Sequence, residues 1–173
     1  MTPAADNASE TVPVDVVIEC DLWTAHERIA DTVRGAITAA ARMLPHAHGS
    51  AVVALTDDRA IRALNRAWRG KDKATNVLSF PVPAAANPPG LRHLGDIAIA
   101  YETTAREAAA EDKIFAHHVA HLAVHGFLHL LGYDHETDAQ AEDMERLERA
   151  VLARLEIPDP YARPPAETLT SHA

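Results

Sequence analysis

The 173-residue sequence predicts one mixed α/β (α+β) domain, a small mixed sheet covered by about five helices. Three observations carry that prediction. The length suits one hydrophobic core rather than two. Short β-branched runs alternate with helical periods over roughly the first 100 residues, and from residue 103 onward the period is helical throughout. A stretch rich in Pro and Gly separates two of the apolar runs and forbids regular structure there.

Taken in order, VPVDVVIEC at 12–20 is alternating and β-branched and reads as the first strand. Residues 24–44 are alanine-rich, with Ile29, Val33, Ile37 and Ala40 or Ala41 at helical spacing, and Pro45 stops that helix. AVVALT at 51–56 reads as the second strand. It ends at Asp57 and Asp58, either of which can cap a helix running to about Trp68. In that helix Ile61, Leu64 and Trp68 form the apolar stripe, while Arg59, Arg62, Arg66 and Arg69 share another face. NVLSF at 76–80 and DIAIAY at 96–101 read as strands, separated by a long loop with Pro81, Pro83, Pro88, Pro89 and Gly90. Helices are expected over 103–111, 114–131 and 137–155. Residues 1–11 are expected to be a disordered leader, 12–157 the single folded domain and 158–173 a flexible tail.

Composition removes several function classes. Asp plus Glu outnumber Lys plus Arg by 25 to 16, a net charge of −9, so a generally basic nucleic-acid-binding coat is excluded and an anionic partner must meet a local patch. The apolar fraction of 47% contains 35 alanines and aromatics are only 5%, which predicts helices with modest side chains rather than a large aromatic core. A lone Cys20 excludes an internal disulfide framework and a thiolate metal site. With no signal-peptide pattern at the N-terminus and no run of about 18 apolar residues, the expectation is a cytoplasmic protein without a membrane partner.

Histidine is the over-represented residue. Of 11 histidines, six (His117, His118, His121, His125, His129 and His135) fall within residues 117–135. In HLAVHGFLHLLGYDH at 121–135, His125 and His129 are four apart, so on a helix their rings lie one turn apart on one face, near enough to share a metal ion. Gly132 can adopt a left-handed conformation, end the helix and swing His135 back towards the pair. Three neutral imidazoles with coordination positions left open are the ligand set of a catalytic zinc site, which acidifies a water to a pKa of about 7. One Zn²⁺ per chain is therefore expected at the C-terminal end of a central helix. The competing reading, scattered helix-surface histidines, has to produce the His-x3-His-x2-Gly-x2-His spacing by chance. His121, one turn before His125, is either a supporting residue or an ordinary polar-face histidine. Asp134 either orients a ligand imidazole through its free ring N–H or stabilises the turn. The spacing is also that of the metzincin zinc proteases, but Gly126 stands where that mechanism needs its general-base Glu.

Splitting the charge reveals a patch. RAIRALNRAWRGKDK at 59–73 carries +5 and the rest of the chain −14. Arginines at helical spacing are commonly a solvated face, but Gly70 breaks the helix and leaves Arg69, Lys71 and Lys73 on a loop leading into a strand, where phosphate-facing groups are often placed. Arg66, Lys71 and Lys73 are candidate phosphate contacts, which become candidate RNA contacts under the family resemblance given below. A guanidinium beside a metal is the pairing that phosphodiester cleavage requires. Residues 134–148 carry a net −6 and read as a solvated helix face able to pair with the arginines.

LNRAWRGKDKATNVLSFP (64–81), LGDIAIA (94–100), HLAVHGFLHLLGYDH (121–135) and EDMERLE (142–148) together resemble the bacterial YbeY family of rRNA maturation factors and endoribonucleases. The resemblance runs over about residues 12–161 in the same order. It implies a single-domain, zinc-dependent hydrolase of single-stranded RNA, acting on the 3′ end of 16S rRNA and in ribosome quality control, with small-subunit assembly components as partners and no role for DNA. It further implies that His125, His129 and His135 are the zinc ligands and Arg69 the catalytic arginine. The choice of RNA over other phosphodiesters comes from the resemblance. The alternatives are a metzincin-like metalloprotease or other zinc hydrolase, and a non-catalytic ribosome assembly factor with structural zinc.

Overall fold

The computed structural model describes residues 12–90 and 92–162, so the leader at 1–11 and most of the expected tail lie outside the described residues. Four strands, β1 (Val14–Ile18), β2 (Ser50–Thr56), β3 (Val77–Pro81) and β4 (His93–Ala100), form one sheet in the order β1-β2-β4-β3. β1, β2 and β4 are parallel neighbours and β3 runs antiparallel on β4, so the sheet is mixed as expected. The helices are α1 (Ile29–Met43), α2 (Asp58–Arg69), α3 (Tyr101–Ala110), α4 (Phe115–Leu130) and α5 (Asp138–Arg154). No helix among the described residues is long and apolar enough to cross a membrane.

Strand alternation sorts the core. Ala51, Val53 and Leu55 of β2 and Ile97 and Ile99 of β4 join the main cluster with α1, α4 and α5, whereas Ala98 and Ala100 of β4 point the other way and meet Ile61 of α2. α4 is apolar nearly all round, as a helix must be that packs on the sheet, α1, α3 and α5 at once. That burial leaves its C-terminal end at the sheet edge formed by β3, which is where the site lies.

Several boundaries differ from expectation. The helix expected over 24–44 is two pieces, a 3-10 turn at Asp21–Ala25 and α1 from Ile29, because Trp23 is fully buried and its indole N–H donates to the Thr56 carbonyl at 2.8 Å. β4 begins at His93, inside the expected loop, and its last residue leads directly into α3 at Tyr101. That tight junction is stabilised by a reciprocal cap. The Asp58 carboxylate accepts the Thr103 backbone N–H at 3.0 Å, and the Glu102 carboxylate accepts the Asp58 N–H at 3.1 Å. Trp68 lies on the face of Ile61 and Leu64 but is 72% exposed rather than buried with them. Residues 158–162, expected to begin the flexible tail, are held against α5: Asp159 pairs with Arg149 at 3.3 Å, and the Tyr161 hydroxyl donates to Glu148.

Candidate metal centre

α4 ends in a Schellman motif. The Tyr133 N–H reaches the Leu128 carbonyl at 3.1 Å and the Gly132 N–H reaches the His129 carbonyl at 3.0 Å, with Gly132 at φ +96°. The reversal brings His135 back over the last turn. One ring nitrogen from each of His125, His129 and His135 then lies within 4.8 Å of the others, and these three are the group among the described residues able to hold a metal.

The donor set fits zinc. Glu148 Oε1 accepts from His125 Nδ1 at 2.5 Å, which puts the His125 proton on Nδ1 and leaves the Nε2 lone pair facing the other histidines. His125 Nε2 and His129 Nε2 are 3.2 Å apart, so two basic nitrogens converge on a point that a cation can satisfy. Burial, followed by the neighbouring charges of His125 and His135, lowers the His129 pKa below 6.5 and favours the neutral, ligating form. A metal held by these three side chains would keep coordination positions for water and substrate, which is the pattern of a catalytic rather than a structural zinc site.

Glu148 is the residue that the sequence reading missed. Its expected place on a solvated acidic face is wrong: it is fully buried, and it also accepts from His121 Nε2 at 3.3 Å and from the Tyr161 hydroxyl. Burial pushes its carboxyl pKa up. The hydrogen bonds from His121 and His125, the charge of His121 and the Tyr161 hydroxyl outweigh burial and hold it at about 2. The overlooked signal was periodic, since Met144, Glu148, Val151 and Leu152 form the buried stripe of α5. The acidic run pairs locally instead of with α2: Arg146 meets Asp143 at 3.1 Å and Arg149 meets Glu145 at 3.6 Å, while Arg62 of α2 meets Asp72 at 2.9 Å.

The other candidates separate clearly. Arg69 lines the same cleft as the three histidines, a cavity of about 820 Å³ floored by residues 75–81. Arg66 lies instead in a shallow concavity with Arg59 and Arg62, and neither Lys71 nor Lys73 lines the histidine cleft. The turn carrying those lysines is pinned by buried Asn65, whose Nδ2 donates to the Lys73 carbonyl at 2.9 Å. His121 stands behind Glu148 and lines a separate cavity of about 210 Å³. Asp134 Oδ1 accepts the His135 backbone N–H at 2.8 Å, so its hydrogen bond serves the turn, and the carboxylate that orients an imidazole is Glu148.

Gly126 has a packing reason. A Cβ there would lie 2.9 Å from Ile97 Cγ2 and 3.1 Å from Ser79 Oγ, so a longer side chain at 126 would run into β3 and β4. No metzincin-style base fits at this position. Gly126→Ala is expected to lower stability by about 1–3 kcal/mol as α4 is pushed off β3 and β4. Thermal unfolding of the two apo proteins checks this, and an unchanged melting temperature would show that the contact relaxes freely.

The profile of the family described as Endoribonuclease YbeY matches residues 18–156. An Endoribonuclease YbeY of Nitrobacter winogradskyi is 54% identical over 163 residues, covering 90% of this chain and 85% of the relative. One from Rhodopseudomonas palustris is 59% identical over 152 residues, with 86% and 80% covered. One from Chelativorans is 52% identical over 157 residues, with 90% and 96% covered. The solution structure of TM1509 from Thermotoga maritima shares the fold, with a TM-score of 0.52 at 22% identity over 87% of this chain and 99% of that one.

Proposed function

The chain belongs to the YbeY endoribonuclease family, and from that premise we propose that it hydrolyses phosphodiester bonds in single-stranded RNA with one Zn²⁺ held by His125, His129 and His135. One observation carries the reading: the Arg69 guanidinium and the three-histidine cluster line a single cleft. Bound zinc would supply Lewis acidity, either lowering the pKa of water or polarising a phosphoryl oxygen. The protein's own groups do the rest. Glu148 fixes the His125 tautomer, and Gly132 sets the angle at which His135 returns. Arg69 stabilises the negative charge that develops on phosphoryl oxygens as the nucleophile adds. The natural substrate on this reading is rRNA, including the 3′ end of 16S rRNA. The work extends to ribosome quality control in the cytoplasm, in contact with small-subunit assembly components. The names of the relatives support RNA as the substrate class.

Arg69→Ala is expected to lower the rate of RNA cleavage by about 10²–10³-fold, the usual cost of removing one preorganised charge-stabilising donor. Arg69 is exposed, so zinc content and melting temperature should stay at wild-type values. The test is single-turnover cleavage of a short single-stranded RNA by zinc-loaded wild type and variant. Cleavage at the wild-type rate by the variant would remove Arg69 from the mechanism.

A further inference from the structure

We infer that Trp68 is the platform on which an unpaired base of the substrate strand stacks, so that this residue gives the cleft its selectivity for single-stranded RNA. The inference rests on the RNA-hydrolase reading above and adds a recognition residue to it.

Trp68 is 72% exposed, the most exposed of the large apolar side chains among the described residues. Its exposure does not come from pointing away from the sheet. At seven residues from Ile61 and four from Leu64 it shares their face of α2, and Ile61 is fully buried in the second cluster while Leu64 packs against it. By the last turn of α2, however, the surface under that face has become the cleft, and Trp68 lines it together with Arg69 and the metal-centre histidines. The indole is steadied on one side by Phe80 of β3, with ring centroids 5.9 Å apart and planes at 61°. Phe80 lines the same cleft. The other exposed apolar side chains, Val17, Ile18, Leu22 and Ile114, are not among the residues lining it.

Consecutive residues therefore present a π-face and a cation to one cavity. That is the complement of a nucleotide, whose base stacks while its phosphate meets the positive charge. In a duplex the base faces are already occupied by neighbouring pairs, so the platform is reachable only by an unpaired base. An aromatic ring also accepts any base, which gives strand selectivity without a narrow sequence preference.

Zinc-loaded, full-length wild type, Trp68→Phe and Trp68→Ala are compared on a short single-stranded RNA and on a series of the same RNA with an abasic residue moved through it. Trp68→Ala should raise KM roughly tenfold with kcat little changed, the loss expected for one base–aromatic stack, and Trp68→Phe should recover most of it. One abasic position should raise KM for wild type by a similar factor and have no further effect on Trp68→Ala, the non-additivity that marks a direct contact. An unchanged KM for Trp68→Ala, or equal abasic penalties in all three proteins, would overturn the inference. If wild type cuts no RNA at all, the hydrolase reading fails separately. Trp68 is then decided by fluorescence, because Trp23, the only other tryptophan, is fully buried. Quenching by the intact RNA that an abasic position removes supports stacking, and absence of quenching refutes it.

Discussion

Replacing His129 by alanine is expected to abolish zinc retention and RNA cleavage together while leaving the apo fold intact. Three candidate ligand side chains converge within 4.8 Å, and removing one leaves two imidazoles, of which His135 is on the exposed turn. The loss of affinity should exceed about 100-fold, the upper range for changes to groups that merely support a ligand. Chelator competition and metal analysis after gel filtration measure it. A variant that retains one zinc per chain would mean that His129 is not a ligand.

The apo protein gives an independent check through pH. Burial first, then the charges of His125 and His135, depress the His129 pKa below its unfolded value of 6.5. The unfolded chain therefore binds more protons than the folded one in that window, so the stability contributed by His129 is fully present above pH 6.5 and is lost as pH falls through the depressed value. His129→Ala lacks this penalty. Acidification should consequently lower the melting temperature of apo wild type more than that of apo His129→Ala. In the presence of zinc the two curves should diverge at neutral pH instead, since only wild type gains stability by mass action and protons compete for its ligands as pH falls. Parallel curves for the two apo proteins would separate the clustered charges from the stability of the site.

What could be read in advance follows the range of the interactions involved. The convergence of His125, His129 and His135 was legible because helical spacing and a left-handed Gly132 are local, and both act within one turn of α4. Arg69 was expected on a loop but is the last residue of α2, because Gly70 ends the helix one residue later, and its place in the cleft depends on β3 lying antiparallel at the edge of the sheet, a pairing that joins distant segments. Trp68 was misplaced because period alone assigns a face and does not say where the covering surface ends. Glu148 was hidden by averaging. Seven acids against one arginine suggested a solvated helix, although position 148 falls four residues after buried Met144 and three before buried Val151. Its partners come from 13 to 27 residues away in sequence, so the reason for a buried carboxylate was not local.

Glu148 carries the second large effect. Three donors, His125 Nδ1, His121 Nε2 and the Tyr161 hydroxyl, point at one fully buried carboxylate, and only an acceptor with two oxygens and no N–H suits all of them. Glu148→Ala leaves those donors facing a cavity and should cost about 3–5 kcal/mol, as breaking a buried pair does. Glu148→Gln keeps the volume but turns an amide NH₂ towards at least one donor, freeing the His125 ring to rotate or change tautomer. Zinc affinity should drop about 10–100-fold, the effect of losing an orienting partner behind a metal-bound imidazole. Competition against a chelator reads the affinity, and nitrogen chemical shifts of the His125 ring in the apo protein read the tautomer without any activity assay. The pH sign is opposite in kind to a neutral packing role. With a folded pKa of about 2 against 4.5 unfolded, Glu148 contributes stability that is fully present above pH 4.5 and lost as pH falls towards 2. Wild type should therefore lose stability across that acid range more steeply than Glu148→Gln. A glutamine variant with wild-type zinc affinity, an unchanged His125 tautomer and the same acid unfolding curve would reduce Glu148 to a space-filling residue.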